Sequence, residues 1–261
     1  MADPTRVDPL AALRKLLIRD GGGFLRNARW QPELTCALCT GVPGNDFPTC
    51  YNCEGWQLRT DLADRLGFVS YAVQGAQSGT VMYGYKDITQ PSEANRRVVM
   101  MMHHYAVARH WSCIHSSKHG PATHWTTVPS LGTRPEPHPL WQISSPFLDK
   151  SLPSVALSKA PGAVNTRDLR PQNFVADVPR GAHVLLIEDT WVGGGRVQSA
   201  AAALKRDGAG SVTALVLARW LEPSRGRTDE LLASLRDVDF DPDLCPFTGG
   251  HCLASPSGQE R

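Results

Sequence analysis

The chain has 261 residues, a formal net charge of +2 at pH 7 and 41% hydrophobic residues. That length fills one large domain or one domain with a small module, and the apolar content excludes a chain that is disordered throughout. The charge is too close to neutral for a broad basic surface. A nucleic-acid partner therefore stays an alternative that the composition does not favour.

The sequence contains no signal for membrane insertion or secretion. No stretch reaches the roughly 18 consecutive apolar residues of a membrane-spanning helix. The N-terminus has no charged region followed by an apolar core and a small-residue cleavage site. We therefore expect a soluble, cytoplasmic protein with no membrane partner, and nothing in the pattern indicates its oligomeric state.

The first predicted element is a helix that begins after Asp8, with Pro9 at its first position, and ends at Gly21. Leucines recur on one face at helical spacing. We expect that face to pack on the body of the protein, and a partner-binding helix is the alternative. The leucines are Leu10, Leu13, Leu16 and Leu17.

Four cysteines are spaced for a metal ion. They form two CxxCxG halves with residues 40–49 between Cys39 and Cys50, and the predicted ligands are Cys36, Cys39, Cys50 and Cys53. Gly41 and Gly55 can adopt tight turns that point backbone amides at the thiolates. Four thiolates hold Zn²⁺ in a closed tetrahedral site, which indicates a structural role, although iron accepts the same ligands. Such use of thiols fits a reducing compartment.

The middle of the chain predicts alternating helices and strands. Short helical and β-prone patterns cover residues 61–66 and 68–73. The longest helical pattern covers residues 93–111 and should support the sheet. Strands are predicted at 124–128 and 155–157. The prolines at positions 135, 137 and 139 predict a turn-like connector between those two strands.

Two further groups of cysteines and histidines are weaker metal candidates. One lies in and after the long helix and consists of His103, His104, His110, Cys113, His115 and His119. Its spacing fits no known ligand pattern, so ordinary packing is the simpler interpretation. The other lies in the tail segment CPFTGGHC, with Cys245, His251 and Cys252. It is a second metal loop without an identified fourth ligand, a cap on the first cysteine module, or a redox pair.

A buried strand, a glycine turn and a helix follow one another between residues 182 and 203. Residues 184–187 are uninterrupted hydrophobics, and Glu188 and Asp189 come directly after them, where open α/β sheets bind ligands. The triplet 193–195 is Gly-Gly-Gly and leads into a helical pattern over 198–205. Backbone amides and the positive end of that helix can hold a phosphate, and paired acids suit ribose hydroxyls. A strand at 211–218 and a helix at 229–235 complete an α/β pattern.

These residues resemble the PRPP-binding motif of type I phosphoribosyltransferases: a hydrophobic run, two acids, two spacer residues and a phosphate loop. Other segments, in the same order, resemble the ComF-like group and its actinobacterial branch. They are the cysteine module, the Tyr-Lys pair ending at Lys86, the Val-Pro turn at 128–129 and the Arg-x-x-Asn of Arg170 and Asn173.

The resemblance implies a type I phosphoribosyltransferase-like (Rossmann-like) parallel sheet flanked by helices, with a small N-terminal zinc-ribbon module. Residues 1–58 would form a hood from the N-terminal helix and the zinc module. Residues 59–236 would form the α/β domain, and residues 237–261 the tail.

The resemblance also implies roles for individual residues. Glu188 and Asp189 would bind the ribose hydroxyls and take part in catalysis. The PRPP loop would comprise Thr190, Trp191, Val192, Gly193, Gly194, Gly195 and Arg196. The pyrophosphate contacts would be Lys86, Ser130, Leu131, Gly132 and Arg134.

The loop departs from the family pattern at hydroxyl positions. Val192 and Gly193 stand where the family has threonines, Arg196 occupies a third hydroxyl position, and Glu188 replaces the more usual aspartate. Each lost hydrogen bond to a charged phosphate costs about 1.5–3 kcal/mol, and Arg196 could return part of that.

The resemblance predicts a protein that binds PRPP with Mg²⁺ and transfers ribose 5-phosphate to an unidentified acceptor, with release of pyrophosphate. The main alternative is a non-catalytic ligand sensor, or a nucleic-acid-associated protein linked to DNA uptake that acts through the zinc module. A zinc-stabilised structural subunit is a third interpretation.

Overall fold

The central feature of the fold is a four-stranded parallel sheet with the strand order β1-β6-β5-β2. The computed structural model describes residues 8–44, 47–115, 120–134 and 136–252. The sheet strands are β1 (Arg65–Val73), β2 (His124–Thr127), β5 (His183–Trp191) and β6 (Ser211–Leu221). Because helices cover both faces of this sheet, the predicted α/β class is confirmed.

The remaining elements surround that sheet. The helices are α1 (Pro9–Gly21), α2 (Tyr51–Trp56), α3 (Gln77–Gly84), α4 (Glu93–Arg109), α5 (Trp111–His115), α6 (Pro139–Leu148), α7 (Gly195–Arg206) and α8 (Thr228–Ser234). A short 3₁₀-helix covers Pro171–Asn173, and β3 (Ala156–Lys159) pairs with β4 (Phe174–Asp177) as a small antiparallel sheet.

The central strands β5 and β6 are the most deeply buried part of the protein. Every residue of β6 is buried, and the run from Val184 to Ile187 in β5 is fully inaccessible. Uninterrupted hydrophobics are expected in such a strand because neither face meets water. The helix α7 connects these two parallel neighbours, so the predicted strand, loop, helix and strand unit is confirmed.

Alternate side chains of β5 enter two separate cores, one on each face of the sheet. Leu185 and Ile187 pack with α3, α4 and α6 on the first face, together with Leu17 of α1. Val184 and Leu186 pack with α7 and the buried cysteines on the second face. The helix α1 packs against α4, as its leucine face predicts.

The N-terminal helix and the cysteine module therefore contact opposite faces of the sheet. Asp8 caps α1 through a hydrogen bond from the Leu10 amide, and Leu17 is 1% exposed in the first core. The cysteines belong to the second core. A hood assembled from this helix and the module together does not match that placement, and the domain boundaries at 58 and 236 stay predictions.

The predicted helix at residues 61–66 is wrong. Residues 60–64 form bends, and β1 begins at Arg65. The backbone amide of Asp64 donates to the Val212 carbonyl, and the amide of Ala63 donates to Gln198 Oε1. Hydrogen bonds to distant parts of the chain thus override a weak local helix preference.

The proline-rich connector is also more ordered than predicted. Pro139 is the first residue of α6, and His138 Nδ1 accepts a hydrogen bond from the Leu140 amide at 3.2 Å. Proline suits the first helical position because its missing N–H has no intrahelical partner there. Pro135 lies outside the described residues.

Within the described parts of the chain, no helix combines the length and the apolar character needed to cross a bilayer.

We predict that acid destabilises the protein through His103 of α4. This histidine is fully buried beside Ser144, and burial together with the neighbouring His104 lowers its pKa to about 3. The unfolded chain, with a pKa of about 6.5, takes up the proton first, so the free energy of unfolding falls as the pH drops from 6.5 towards 3. The expected loss between pH 7.5 and pH 5 is about 2 kcal/mol.

Urea unfolding of the wild type and His103→Gln at both pH values measures this effect. The glutamine can still bond to Ser144 and cannot titrate, so the variant should lose about 2 kcal/mol less than the wild type. Equal losses in the two proteins would contradict the assignment.

Candidate functional site

The two acids at the end of β5 line a cavity of about 160 Å³. Asp189 is 4% exposed, whereas Glu188 is partly exposed. Asp189 Oδ2 accepts a hydrogen bond from the Tyr85 hydroxyl at 2.5 Å and pairs with Lys86 Nζ at 2.6 Å. Tyr85 and Lys86 follow the end of α3, so this helix brings a cation directly to the acid pair.

The two acids have opposite electrostatic environments. Burial and the adjacent Asp189 raise the pKa of Glu188 well above its usual value. Burial also acts to raise the pKa of Asp189, but the Lys86 charge and the hydrogen bonds from Lys86 and Tyr85 lower it to about 2. Asp189 is thus a paired carboxylate at neutral pH, whereas its surroundings make the charged form of Glu188 less favourable than it is in water.

The glycine loop after the acids is held tightly by its surroundings. Gly194 has a φ of +87°, and a Cβ atom there would lie 2.1 Å from the Trp191 ring. A Cβ atom on Gly195 would lie 2.0 Å from the Arg167 carbonyl oxygen. Side chains are therefore excluded at both positions, and the first turn of α7 begins directly at the cavity wall.

All seven residues of the predicted PRPP loop line this one cavity: Thr190, Trp191, Val192, Gly193, Gly194, Gly195 and Arg196. The first amides of a helix have no intrahelical acceptor, and the positive end of the helix dipole lies with them. The Thr190 hydroxyl is buried and has no hydrogen-bond partner among the described residues. The wall therefore has donors for an anionic or oxygen-rich ligand.

Arg196 and Trp191 are already engaged by the protein. The Arg196 guanidinium donates to the Thr166 carbonyl at 3.2 Å and to Asn165 Oδ1 at 2.6 Å. The Trp191 ring is 1% exposed and packs edge-to-face on Phe68, with ring centroids 5.3 Å apart. Both side chains shape the loop in this structure.

The predicted pyrophosphate contacts do not all lie at the same cavity. Lys86 lines the cavity, but Ser130, Leu131, Gly132 and Arg134 do not. Leu131 is 2% exposed within the second core, the Ser130 hydroxyl accepts a hydrogen bond from the Gly132 amide, and Arg134 lies 3.2 Å from His138 Nε2. Their interactions are with the protein itself.

Arg167 is a candidate cation that sequence reasoning missed. It is exposed and lines both this cavity and a neighbouring one. The segment that carries it is fixed by Asn173, whose side-chain amide bonds to the N–H and the carbonyl of Val164. The Arg170 amide donates to Ser199 Oγ of α7. The Arg-x-x-Asn resemblance indicated this segment, but only the fold places Arg167 at the glycine loop.

The four predicted metal ligands meet in one cluster. The sulfur atoms of Cys36, Cys39, Cys50 and Cys53 lie within 4.8 Å of one another, and no disulfide joins them. The Cys39 and Cys50 sulfurs are 3.7 Å apart. Zn–S bonds of about 2.3 Å in a tetrahedron require sulfur separations of about 3.8 Å. The cluster could therefore hold a zinc ion, as predicted.

The predicted duplication of the CxxCxG turn is wrong. In the first half, the Cys36 amide donates to the Gly41 carbonyl and the Thr40 amide to the Cys36 carbonyl, with Thr40 at a φ of +54°. In the second half, Cys50 precedes α2 and Cys53 lies within it. Gly55 is a helical residue with open space beside it.

A buried arginine explains the glycine of the first half. A Cβ atom on Gly41 would lie 1.9 Å from Arg219 Nη2, so only glycine leaves room for that guanidinium. Arg219 donates to the carbonyls of Cys39, Trp191 and Val192, and its Nη2 is 3.9 Å from the Cys39 sulfur. One side chain thus connects the cysteine cluster with the glycine loop.

The charge of Arg219 also suits a thiolate cluster. Arg219 is 8% exposed, and no carboxylate in the described parts of the chain forms an ion pair with it. A buried cation needs a negative partner, and four thiolates around Zn²⁺ carry net negative charge. The residues present therefore fit a metal ion with all-thiolate ligands.

A second cavity, of about 540 Å³, adjoins the first. The first cysteine loop forms one wall with Val42 and Pro43, α2 contributes Tyr51 and Asn52, and the opposite wall follows the end of β6. The residues that line both cavities are Arg167, Trp191, Val192, Gly193 and Trp220. The cysteine module therefore borders the approach to the acids.

The sequence matches no known protein-family model, and no curated protein matches it significantly.

We predict that Arg219→Lys destabilises the protein by about 2–4 kcal/mol, because an ammonium group cannot reproduce the planar set of bonds and leaves buried carbonyls unpaired. Urea unfolding of the zinc-loaded protein measures the change. Arg225→Lys is the matched control, since the Arg225 side chain forms an exposed ion pair with Glu222, and this variant should change stability by less than about 0.5 kcal/mol. Equal stability of both variants would contradict the bridging role of Arg219.

Proposed function

We propose that this protein is a ComF-like phosphoribosyltransferase that binds PRPP with Mg²⁺ and transfers ribose 5-phosphate to an acceptor. One observation carries the proposal: two acids at the end of β5 and the amino end of α7 line the same cavity. A sugar phosphate carries ribose hydroxyls and a phosphate on one small molecule. Acids bind the hydroxyls and helix amides bind the phosphate, so both kinds of group must line one cavity.

Each part of PRPP has a counterpart in the wall. The 5′-phosphate would lie on the amides of the loop and first turn of α7, where the helix dipole favours an anion. Glu188 and Asp189 would accept hydrogen bonds from the ribose hydroxyls. The pyrophosphate would lie near Lys86 or the exposed Arg167. Mg²⁺ would arrive with PRPP, and carboxylate and phosphate oxygens are the ligands it prefers.

The proposed reaction is a displacement at C1 of the ribose. The bond between C1 and the pyrophosphate oxygen breaks, and its electron pair leaves with pyrophosphate. The acceptor's lone pair forms the new bond to C1, and the acceptor loses a proton to solvent. Catalysis would come from positioning and from fixed charges around the departing group, with Lys86 and the loop amides as the protein's contribution.

The acceptor would enter through the second cavity. That cavity shares Trp191, Val192 and Gly193 with the first, so a molecule in it would lie beside the sugar phosphate. The cysteine module, with structural Zn²⁺ bound to its four thiolates, would supply the wall of this entrance.

A sensor that binds the sugar phosphate without transferring it is the second candidate. Three features favour it: Val192 and Gly193 provide no hydroxyl donors, the Arg196 guanidinium is engaged with Asn165 and Thr166, and Asp189 is already paired with Lys86. In that case the cysteine module would be the contact to a protein or nucleic-acid partner. Binding of PRPP without pyrophosphate release in the presence of nucleobases and amines would distinguish this candidate from the transferase.

Isothermal titration with PRPP and Mg²⁺ tests the proposal. We predict micromolar binding to the wild type and a roughly 10- to 150-fold weaker affinity in Asp189→Asn, because the loss of hydrogen bonds to a charged group costs about 1.5–3 kcal/mol. Asp177→Asn is the matched control, since it removes the same charge at an exposed site on β4.

Two outcomes would contradict this prediction. The wild type could fail to bind PRPP while remaining folded by circular dichroism, or Asp189→Asn could bind as tightly as the control variant.

A further inference from the structure

A second cluster of metal-binding side chains lies where the C-terminal segment meets the end of α4. The ligand atoms of His110, Cys245 and Cys252 lie within 4.8 Å of one another. Cys113, in the middle of α5, is not in that group, but its side chain interacts with both Cys245 and Cys252. His110, Cys113 and Cys245 are at most 1% exposed.

This arrangement supplies the fourth ligand that the tail sequence lacked. In the sequence, His110 and Cys113 belong to one candidate group and Cys245 and Cys252 to another, more than 130 residues apart. His251, which sequence reasoning placed among the tail ligands, is exposed and is not in the cluster. The fold replaces it with a histidine and a cysteine from the other group.

The ring of His110 is oriented as a metal-binding histidine. Nε2 is 3.2 Å from the Pro242 carbonyl oxygen, and Nδ1 is 3.1 Å from the Cys252 sulfur. A carbonyl can only accept, so Nε2 carries the proton and the Nδ1 lone pair points into the cluster. A hydrogen bond from the distal nitrogen to a backbone carbonyl is the usual device that fixes a ligating imidazole.

The tail loop shares two backbone hydrogen bonds and a left-handed residue with the loop that carries Cys36. The amide of Cys245 donates to the carbonyl of Gly250, five residues later, at 2.8 Å. The amide of Gly249 donates back to the Cys245 carbonyl at 2.9 Å, and Gly249 has a φ of +69°. The Cys36 loop makes the same two bonds and has its left-handed residue at the same position. The comparison uses backbone atoms alone, so it is independent of the positions of the sulfur atoms.

We propose that His110, Cys113, Cys245 and Cys252 bind a second Zn²⁺ ion in a closed tetrahedral site with one nitrogen and three sulfur ligands. Four protein ligands leave no open position for water, so the site is structural. It is separate from the first cluster, because Cys113 lies beside Arg65 at the start of β1, whereas the Cys36 loop bonds to Tyr71 near its end.

The ion would fasten the C-terminal segment to the α/β domain. That segment already contacts the sheet: the Phe68 amide donates to the Pro246 carbonyl at 3.1 Å, and the Phe247 ring lies under Arg65. Asp243 forms ion pairs with Arg14 of α1 and Arg109 of α4. A metal ion at the cluster would join these contacts to the end of α4 through coordination bonds, and its binding free energy would add to the stability of the fold.

Counting zinc by mass spectrometry of the purified full chain, after dialysis against metal-free buffer, tests the proposal. The wild type should hold about two zinc ions per chain, and His110→Ala about one. His251→Ala is the matched control, because it removes an exposed tail histidine outside the cluster, and it should keep both ions. A wild type with one zinc ion, or a folded His110→Ala with as much zinc as the wild type, would overturn the proposal.

A second measurement keeps the proposal testable if His110→Ala fails to fold. Cys36→Ser disrupts only the first cluster, so it should retain one zinc ion whose X-ray absorption spectrum shows three sulfur ligands and one nitrogen ligand. Two results would overturn the proposal. One is a folded Cys36→Ser chain that contains no metal, and the other is a disulfide that joins any two of Cys113, Cys245 and Cys252 in the unreduced wild type. None of these outcomes depends on PRPP binding, so the proposal stands or fails separately from the transferase.

Discussion

The buried guanidinium of Arg219 is the interaction on which the rest of the site depends. It extends from the end of β6, donates to the carbonyls of Cys39, Trp191 and Val192, and lies close to the Cys39 sulfur. Its position requires glycine at residue 41. Because charge and hydrogen-bond geometry must both be satisfied, the cysteine module and the glycine loop cannot move independently. A cysteine cluster far from the acids in sequence is thereby tied to the loop that follows them.

That rigidity sets the chemistry available at the carboxyl edge of the sheet. Asp189 is held as a carboxylate by Lys86 and Tyr85, while its neighbour Glu188 has a raised pKa. Two adjacent acids with opposite pKa shifts offer one fixed acceptor and one group that responds to the ligand. The amino end of α7 provides donors across the same cavity. Acceptors, donors and an adjoining cavity thus lie together on rigid elements, as the sugar-phosphate site that we propose requires.

Local sequence patterns correctly predicted the elements whose conformation is set by residues close by in the sequence. The strand and helix around Glu188 follow from an apolar run and three glycines, and the cysteine cluster follows from its spacing. Long-range contacts decided the rest. Residues 60–64 form bends because β6 and α7 bond to them, and Lys86, a predicted pyrophosphate contact, forms an ion pair with Asp189. The roles of Arg219 and Cys113 required the fold, since Arg219 bonds to Cys39, 180 residues away, and Cys113 interacts with Cys245, more than 130 residues away.

Hydrogen–deuterium exchange of the backbone amides, with and without PRPP and Mg²⁺, tests the central claim most directly. A sugar phosphate bound as we propose accepts hydrogen bonds from the loop and the first turn of α7, so exchange should slow in residues 188–197 and around Lys86. The β3 and β4 hairpin should exchange at the same rate in both conditions. Unchanged exchange in residues 188–197 at saturating PRPP, or protection confined to the cysteine loops, would contradict a sugar-phosphate site at the end of β5.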